Sequence, residues 1–387
     1  MRSSRWTKRI VVQGILGMVV VGTAWADAPA PKWYDTIGLS GYVQESYTGN
    51  LNNPLSKTNK GRQFDVDSNS FMTNAAMLNI IKPVGDSDHY GFVARLMAGR
   101  NAHILANSTN GNSDASLFLQ EAYMTYALPA LTKLQFIAGK FVTSEGVEVV
   151  DTINNPNFSE GLLFTYAEPV THTGLKASYT FNDKVNAMVG VVNGWDLSTD
   201  NNSGKTVIWQ VAVAPTKKIS WSFQGLYGPE LADNMSQRLS LDTVLGFNPT
   251  DKLSLNAQAN WGQQTHDPNT ANSTGVIGAG KTHWAGAGLW ASYALTSRFT
   301  EIGRFEVLSD QNGANRFGVA TPSPFLDGTT NQTVKEFTLT HKTQLASNLF
   351  TRVEYRHDWS NQAYFERHDG SAVRNQNTLS ADVYITF

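Results

Sequence analysis

The chain has 387 residues, 41% hydrophobic and 16% charged, with a formal net charge of −2 and no cysteine. The absence of thiols excludes disulfide frameworks and thiolate metal sites, and a mildly acidic balance without a basic stripe excludes a nucleic-acid surface. Beyond the N-terminal stretch no run of about 20 apolar residues occurs, so no helix is predicted to span a membrane.

Arg2, Arg5, Lys8 and Arg9 open the chain as a basic segment, and IVVQGILGMVVVG follows as an apolar one. Ala24-Trp25-Ala26 then offers small residues at the two positions a signal peptidase reads, which predicts cleavage between Ala26 and Asp27. Residues 1–26 are expected to be an export signal, 27–35 a short lead, and 36–387 a single domain. Cleavage removes four basic residues and no acidic one, so the exported chain is the more acidic form.

From Thr36 onward, runs of period-two alternation recur. They span 36–48, 70–82, 88–103, 115–127, 132–142, 171–182, 184–194 and 205–214, then 217–228, 236–248, 251–263, 281–294, 297–309, 332–346, 348–359 and 377–387. The connections alternate in kind. Short ones such as Asn182-Asp183, Pro215-Thr216 and Thr296-Ser297 are followed by long ones rich in Asn, Gly, Ser and Asp. The long loops fall at 49–69, 104–114, 143–170, 195–204, 229–235, 264–280, 310–331 and 360–376. Sixteen strands with seven short turns and eight long loops leave both termini on the short-turn side.

Individual strands carry one apolar and one polar face. In 205–214, Val207, Trp209, Val211 and Val213 oppose Thr206, Gln210 and Ala212. At the C-terminus, Leu379, Ala381, Val383, Ile385 and Phe387 interleave with Thr378, Ser380, Asp382, Tyr384 and Thr386. About ten such residues cross a bilayer when the strand is tilted. A terminal strand closing on an aromatic resembles the last strand of bacterial outer-membrane barrels, where Phe387 would be the signal read by the barrel-assembly machinery. Aromatics gather at strand ends as an interfacial girdle would require. Trp195, Tyr227, Trp261, Trp284 and Trp359 lie toward the long loops, and Phe181, Trp221, Phe247, Tyr293, Phe299 and Phe387 toward the turns.

The predicted fold is all-β, a transmembrane antiparallel β-barrel of about sixteen strands. In a bilayer every strand edge must be paired, and an even-numbered closed sheet achieves this. Alternation of lipid-facing and lumen-facing residues averages the hydropathy to −0.28, which hides the membrane character. A soluble periplasmic β-protein is the alternative for the sheet pattern alone. Glu301 fits poorly: its register puts it on the lipid face, and a bulge or a register error is expected there.

The stretch GKFVTSEGVEVVDTINNPNFSEGLLFTYAEPVTHTGLKASY at 139–179, followed by VVNGWDLSTDNN, resembles the β-barrel porin-2 family, also described as OmpL-like. GYVQESYTGNLNNP and RQFDVDSNSFMTNAAMLNI resemble its first hairpin. The resemblance covers nearly the whole exported chain and implies a bacterial outer-membrane porin, a passive diffusion channel for small hydrophilic solutes or ions. It implies no enzymatic activity and no cofactor, and it fixes no solute. In that family NPNFS is commonly followed by a basic residue; Glu160 stands here instead, so no charge selectivity carries over. Trimerisation is the habit of sixteen-stranded porins, so a homotrimer is an expected partner arrangement, beside membrane lipid and lipopolysaccharide.

A barrel this wide leaves an aqueous channel unless something narrows it. The third long loop carries Glu145, Glu148, Asp151, Glu160 and Glu168 and no basic residue, with Val147, Val149, Val150, Ile153, Leu162 and Leu163 among them. So many apolar residues imply packing against something. General porins fold their third loop into the lumen, and by analogy the same is expected here; an external loop capping its neighbours is the alternative. Arg95, Lys176, Arg304, Arg352 and Arg356 are assigned to the inward face, with Glu306, Glu354 and Asp358, while Lys140 reads in either register. A cationic wall opposite an acidic loop would set a transverse field across the constriction. The plainer reading is that these charges pair with one another.

Two motif matches carry little. GVIGAGKT, Gly275 to Thr282, satisfies the phosphate-loop pattern, but a polar loop precedes it and an alternating strand follows, where a helix is required. Asp65, Asp67 and Asn69 begin like a calcium loop, but Ser70 and Ala76 stand where Gly and Glu belong. The histidines show no metal-ligand spacing. The alternative function is a narrow or plugged barrel whose loops bind a partner at the cell surface, as an adhesin does.

Overall fold

The computed structural model describes residues 33–85, 88–110, 116–232, 234–266, 280–311 and 331–387. The predicted export signal and its expected cleavage point at Ala26–Asp27 lie outside them. A single 3₁₀ turn, Trp33–Thr36, leads into the first strand.

The strands are β1 (Gly38–Asn50), β2 (Ser70–Lys82), β3 (Tyr90–Ala98), β4 (Leu117–Leu128), β5 (Leu131–Val142) and β6 (Thr171–Asn182). There follow β7 (Val185–Val192), β8 (Thr206–Thr216), β9 (Ile219–Pro229), β10 (Gln237–Phe247), β11 (Leu253–His266) and β12 (Gly280–Ala294). The chain ends with β13 (Phe299–Gln311), β14 (Gln332–Gln344), β15 (Leu349–Ser360), a small ribbon of β16 (Phe365–Glu366) and β17 (Ala372–Val373), and β18 (Asn375–Thr386). Sixteen of these, β1 to β15 and β18, form one closed antiparallel barrel in which each strand pairs with its sequence neighbour and β18 closes on β1. The helices α1 (Arg100–Asn110) and α2 (Leu162–Tyr166) belong to the second and third long connections.

The two faces of the sheet are inverted relative to a water-soluble protein. On β18, Leu379, Val383 and Ile385 are exposed while Thr378, Ser380 and Asp382 are buried. On β13 and β14, Phe305, Phe337 and Leu339 point outward and Arg304, Glu306, Glu336 and Thr338 are buried. An ordinary interior cannot accept so many charges, whereas a barrel with lipid outside and polar groups inside requires this arrangement.

Several sequence expectations are corrected. The run assigned to a strand over 88–103 ends at Ala98, because Gly99 turns the chain at φ +106° and a Cβ there would meet the Asn74 carbonyl at 2.8 Å. Helix α1 then buries Ala102, Leu105 and Ala106, at i, i+3 and i+4 spacing, in a cluster with Phe118 and Met97. Trp195 and Trp284 are not girdle residues: both are buried and meet edge-on at 6.0 Å. Tyr227, Trp261, Phe181, Trp221, Phe247, Tyr293, Phe299 and Phe387 are exposed at strand ends. Glu301 needs neither a bulge nor a register error. It pairs in continuous register with His341 on β14, and the two side chains meet at 2.7 Å near the turn-side rim. The register does shift elsewhere, between Gln44 and Glu45 and between Arg95 and Leu96. Gly280, Lys281 and Thr282 of the phosphate-loop match open strand β12, not a helix.

The seam is the point where closure can fail. Nine residue pairs join β1 to β18, from Tyr42 with Thr386 to Asn50 with Thr378. The Gly41 and Phe387 main chains bond each other in both directions, at 2.9 and 3.0 Å. A Cβ on Gly41 would lie 2.1 Å from the Met77 carbonyl and 2.6 Å from the Phe387 ring, whereas at Gly38 the nearest atom is 3.8 Å away. Gly41→Val should therefore cost roughly 1–3 kcal/mol by overpacking and lower the heat-modifiable folded fraction on gels, with Gly38→Ala unchanged.

Candidate functional site

The third long connection, 143–170, makes its contacts with inward side chains of the barrel wall. On one side the Gln210 amide of β8 donates to the Ser144 carbonyl (3.3 Å), and Ser240 of β10 donates to Glu145 (3.0 Å). The Gly146 N–H donates to Asp242 of β10 (3.2 Å) and the Val147 N–H to Gln258 of β11 (3.1 Å). Glu148 accepts from Arg304 of β13 (2.6 Å) and from the Trp290 indole of β12 (3.4 Å).

Three residues later the chain has reached the other side. Asp151 pairs with Arg95 of β3 and accepts from Gln120 of β4 (3.2 Å), and Thr152 donates to Gln44 of β1. Around the ring, β3 stands six strands from β13 in one direction and ten in the other. Three residues extend at most about 10 Å, so the long side chains of Arg304 and Arg95 reach toward each other to meet them. Glu148 and Asp151 thus tie the loop to inward side chains of two well-separated strands.

The returning limb is fastened to β13 and β15 by guanidinium groups. Arg352 is held by Asp382 of β18 (2.7 Å) and donates to the carbonyls of Thr152, Asn155 and Asn157 at 3.0, 3.0 and 2.7 Å. Arg304 is held by Glu336 (2.9 Å) and donates to the Ser159 carbonyl (2.5 Å). Arg356 is held by Asp358 (2.9 Å) and donates to the Glu160 carbonyl (2.6 Å). Wall carboxylates do the converse: Glu354 accepts the N–H groups of Phe158 and Ser159 at 2.7 and 3.1 Å, and Glu306 accepts that of Leu162. Helix α2 packs Leu162 and Leu163 against Trp290, Leu308 and Val334. Gly161 and Gly286 make room for this approach, since a Cβ at either would overlap Glu306 or Leu163.

The predicted residues therefore separate into groups. Glu148 and Asp151 are paired with Arg304 and Arg95, and Arg352 and Arg356 hold loop carbonyls rather than loop carboxylates. Glu145 and Glu160 have no cation within ion-pair distance among the described residues. Glu145 meets Ser240 and lies near Asp242, and Glu160 receives the Asn155 amide at 3.5 Å and its own main-chain N–H. Glu168 shares the Gln258 amide with Asp242, at 3.1 and 2.7 Å. Burial first, then neighbouring carboxylates, push the Glu145, Glu160 and Glu168 carboxyls well above the ordinary carboxylate range.

Lys140 and Lys176 stand apart from the guanidinium groups. Each ammonium lies 4.1 Å from an aromatic centroid, Lys140 over Phe118 and Lys176 over Phe141. Gly139, at φ +134°, breaks the alternation beside Lys140 and explains why its register could not be read. Residues the sequence reading passed over include Glu336, Asp382, Asp242, Gln258 and Arg62. Arg62, in the first long loop, reaches Asp358 at 2.7 Å. Of the calcium-like triplet, Asp65 lies 3.7 Å from Arg62 and Asp67 pairs with Arg100 at 2.7 Å.

Comparisons with known proteins bear on the fold and the family. Residues 36–387 match the family described as "Putative beta-barrel porin-2, OmpL-like". Among solved structures, the anion-selective porin from Comamonas acidovorans superposes with a TM-score of 0.60 at 9% identity, covering 91% of this chain and 99% of that one. OmpF of Salmonella typhi gives 0.60 at 12% identity, with coverages of 91% and 97%. The outer-membrane channel DcaP of Acinetobacter baumannii gives 0.58 at 14%, also covering 91% and 97%. No curated protein sequence matches the chain. At these identities the structures establish the shared barrel, and the family match over nearly the entire barrel establishes the rest: the chain belongs to the OmpL-like β-barrel porin-2 family and is an outer-membrane porin.

Proposed function

We propose that passage is controlled by the third loop, with Glu148, Asp151, Arg95, Arg304, Arg352 and Arg356 fastening it and small hydrophilic solutes diffusing past it. The single observation that supports this reading is that Glu148 and Asp151, three residues apart in the loop, pair with Arg304 of β13 and Arg95 of β3. The ion pairs around it are contact pairs, and a contact pair presents little net charge to a passing solute. Their work is mechanical. Removing one partner of a buried pair costs about 3–5 kcal/mol, which fixes the loop and so the size limit. No bond is made or broken, so no catalytic group is assigned. Residues 1–26 act as the export signal cut after Ala26, 27–35 as a lead, and Phe387 as the signal presented to the assembly machinery.

Single-channel recording tests this directly. The protein in planar bilayers should give discrete openings, and Arg304→Gln with Arg352→Gln should raise conductance by loosening the loop. Absence of openings and of liposome swelling would leave a plugged surface-binding barrel standing.

The loop limb near β10 gives a pH dependence. Glu145 and Glu168 face Asp242, Ser240, Gln258 and each other, with Glu148 farther along. A carboxyl whose value in the folded state is raised stabilises docking below the ordinary carboxylate range. That contribution is lost as pH rises through the raised value, where charge appears beside Asp242. Conductance should rise on alkalinisation, and Glu145→Gln with Glu168→Gln should flatten the profile.

The homotrimer is assigned to the outer face of β1 and β2. Glu45 is exposed there between Val43 and Tyr47 and bonds only the Thr73 hydroxyl, at 2.9 Å, among described residues. A carboxylate facing hydrocarbon is destabilising, and a second copy would shield it, with lipid and lipopolysaccharide covering the remaining wall. Light scattering in detergent should give a trimer that Glu45→Leu weakens and Leu245→Ala, on β10, leaves intact; a monomeric native protein contradicts the assignment.

A further inference from the structure

We infer that the β5–β6 wall holds an anion-binding step, built from Lys140 and Lys176, that takes small solutes bearing carboxylate or phosphate groups. The inference rests on the porin reading and names the solute class for that channel.

Most of the inward cations are already neutralised by contact pairs. Arg62, Arg95, Arg304, Arg352 and Arg356 each have a carboxylate within 3.2 Å, so their fields are largely cancelled at contact. The loop carboxyls of Glu145, Glu160 and Glu168 are buried, and burial raises them above the ordinary carboxylate range. Neither Lys140 nor Lys176 has a carboxylate within ion-pair distance among the described residues.

Aromatic support is a different kind of holding. Phe118 and Phe141 are 2% and 1% exposed, and each places a ring face 4.1 Å from an ammonium. A ring quadrupole attracts a cation by roughly 0.5–2 kcal/mol without neutralising it. The positive charge therefore remains to be met by something else, and ammonium N–H groups stay free to donate.

The nearest carboxylates are already engaged. Glu121, which faces Lys176, bonds Arg95 at 3.2 Å and the Val142 N–H at 3.1 Å. Asp196, which faces Lys140, accepts the Val170 and Thr171 N–H groups at 2.7 and 2.8 Å. Lys176 is half-buried, at the head of a column of Ser178 and Thr180 that has solvent access toward the short-turn side. Two uncancelled ammonium groups on adjacent strands, each held in place by a buried ring, form a step on which an anion sheds water and finds donors in exchange.

The test is reversal potential under a potassium chloride gradient, with added inorganic phosphate as the probe. The native protein should favour chloride over potassium, and millimolar phosphate should reduce the chloride current. Lys140→Gln with Lys176→Gln should lower the anion-to-cation permeability ratio about threefold or more and abolish the phosphate effect while discrete openings persist. Lys140→Arg with Lys176→Arg should retain both, and Lys218→Gln, in a turn, should change neither. Cation preference in the native protein, or an unchanged ratio in the glutamine variant, overturns the inference while leaving the channel intact. If the glutamine variant does not assemble, a native channel indifferent to phosphate overturns it equally. Absence of openings in any of the proteins would overturn the channel reading itself.

Discussion

A backbone amide set in hydrocarbon has no water to bond, and this constraint decides the rest of the molecule. Each strand must find a partner on both edges, so the sheet has to close, and β1 meeting β18 accomplishes it. Closure in turn fixes the two faces. The outer one must be apolar along every strand, which leaves the alternate positions free to be polar, and the chain fills them with Arg304, Glu336, Arg352, Asp382 and their neighbours.

Those inner charges are costly to desolvate, and the third loop offsets that cost. Guanidinium groups already held by wall carboxylates use their remaining donors on loop carbonyls, as Arg352 does with Thr152, Asn155 and Asn157. Wall carboxylates accept loop N–H groups, as Glu354 does from Phe158 and Ser159. The loop is therefore bound mainly through its backbone, which a passing solute cannot easily displace. The field that a cationic wall and an acidic loop would create is largely reduced to contact pairs, while the Lys140 and Lys176 ammonium groups have no carboxylate within ion-pair distance among the described residues.

How much of this could be read in the sequence follows from the length scale of each signal. Strand existence was legible because period two repeats within each strand, and all sixteen predicted strands are present, most within two residues of their predicted ends. Helix α1 was missed because NAHILA alternates no worse than a strand over a few residues, and Gly99 was not recognised as its boundary. Trp195 and Trp284 were assigned to the girdle because position near a strand end does not separate lipid contact from loop packing. Of the site, the acidic loop and the inward arginines were identifiable as residue types. Their partners were not, since pairing Arg352 with Asp382 requires knowing that β15 and β18 bring those two positions opposite one another. Lys140 depended on a backbone irregularity at Gly139 that no local pattern announces.

Control of passage requires the third loop to dock against the inward wall, and the absence of native cysteine makes a clean trap available. The Asn157 amide donates to the Thr340 hydroxyl of β14 at 2.7 Å, so Asn157→Cys and Thr340→Cys place two thiols close enough for a short bifunctional thiol crosslinker to join. In outer membranes the crosslinker should link them in high yield, giving a shifted band on denaturing gels. Two thiols that stay unlinked, with the one on the loop labelled by a membrane-impermeant maleimide from the medium, would contradict it.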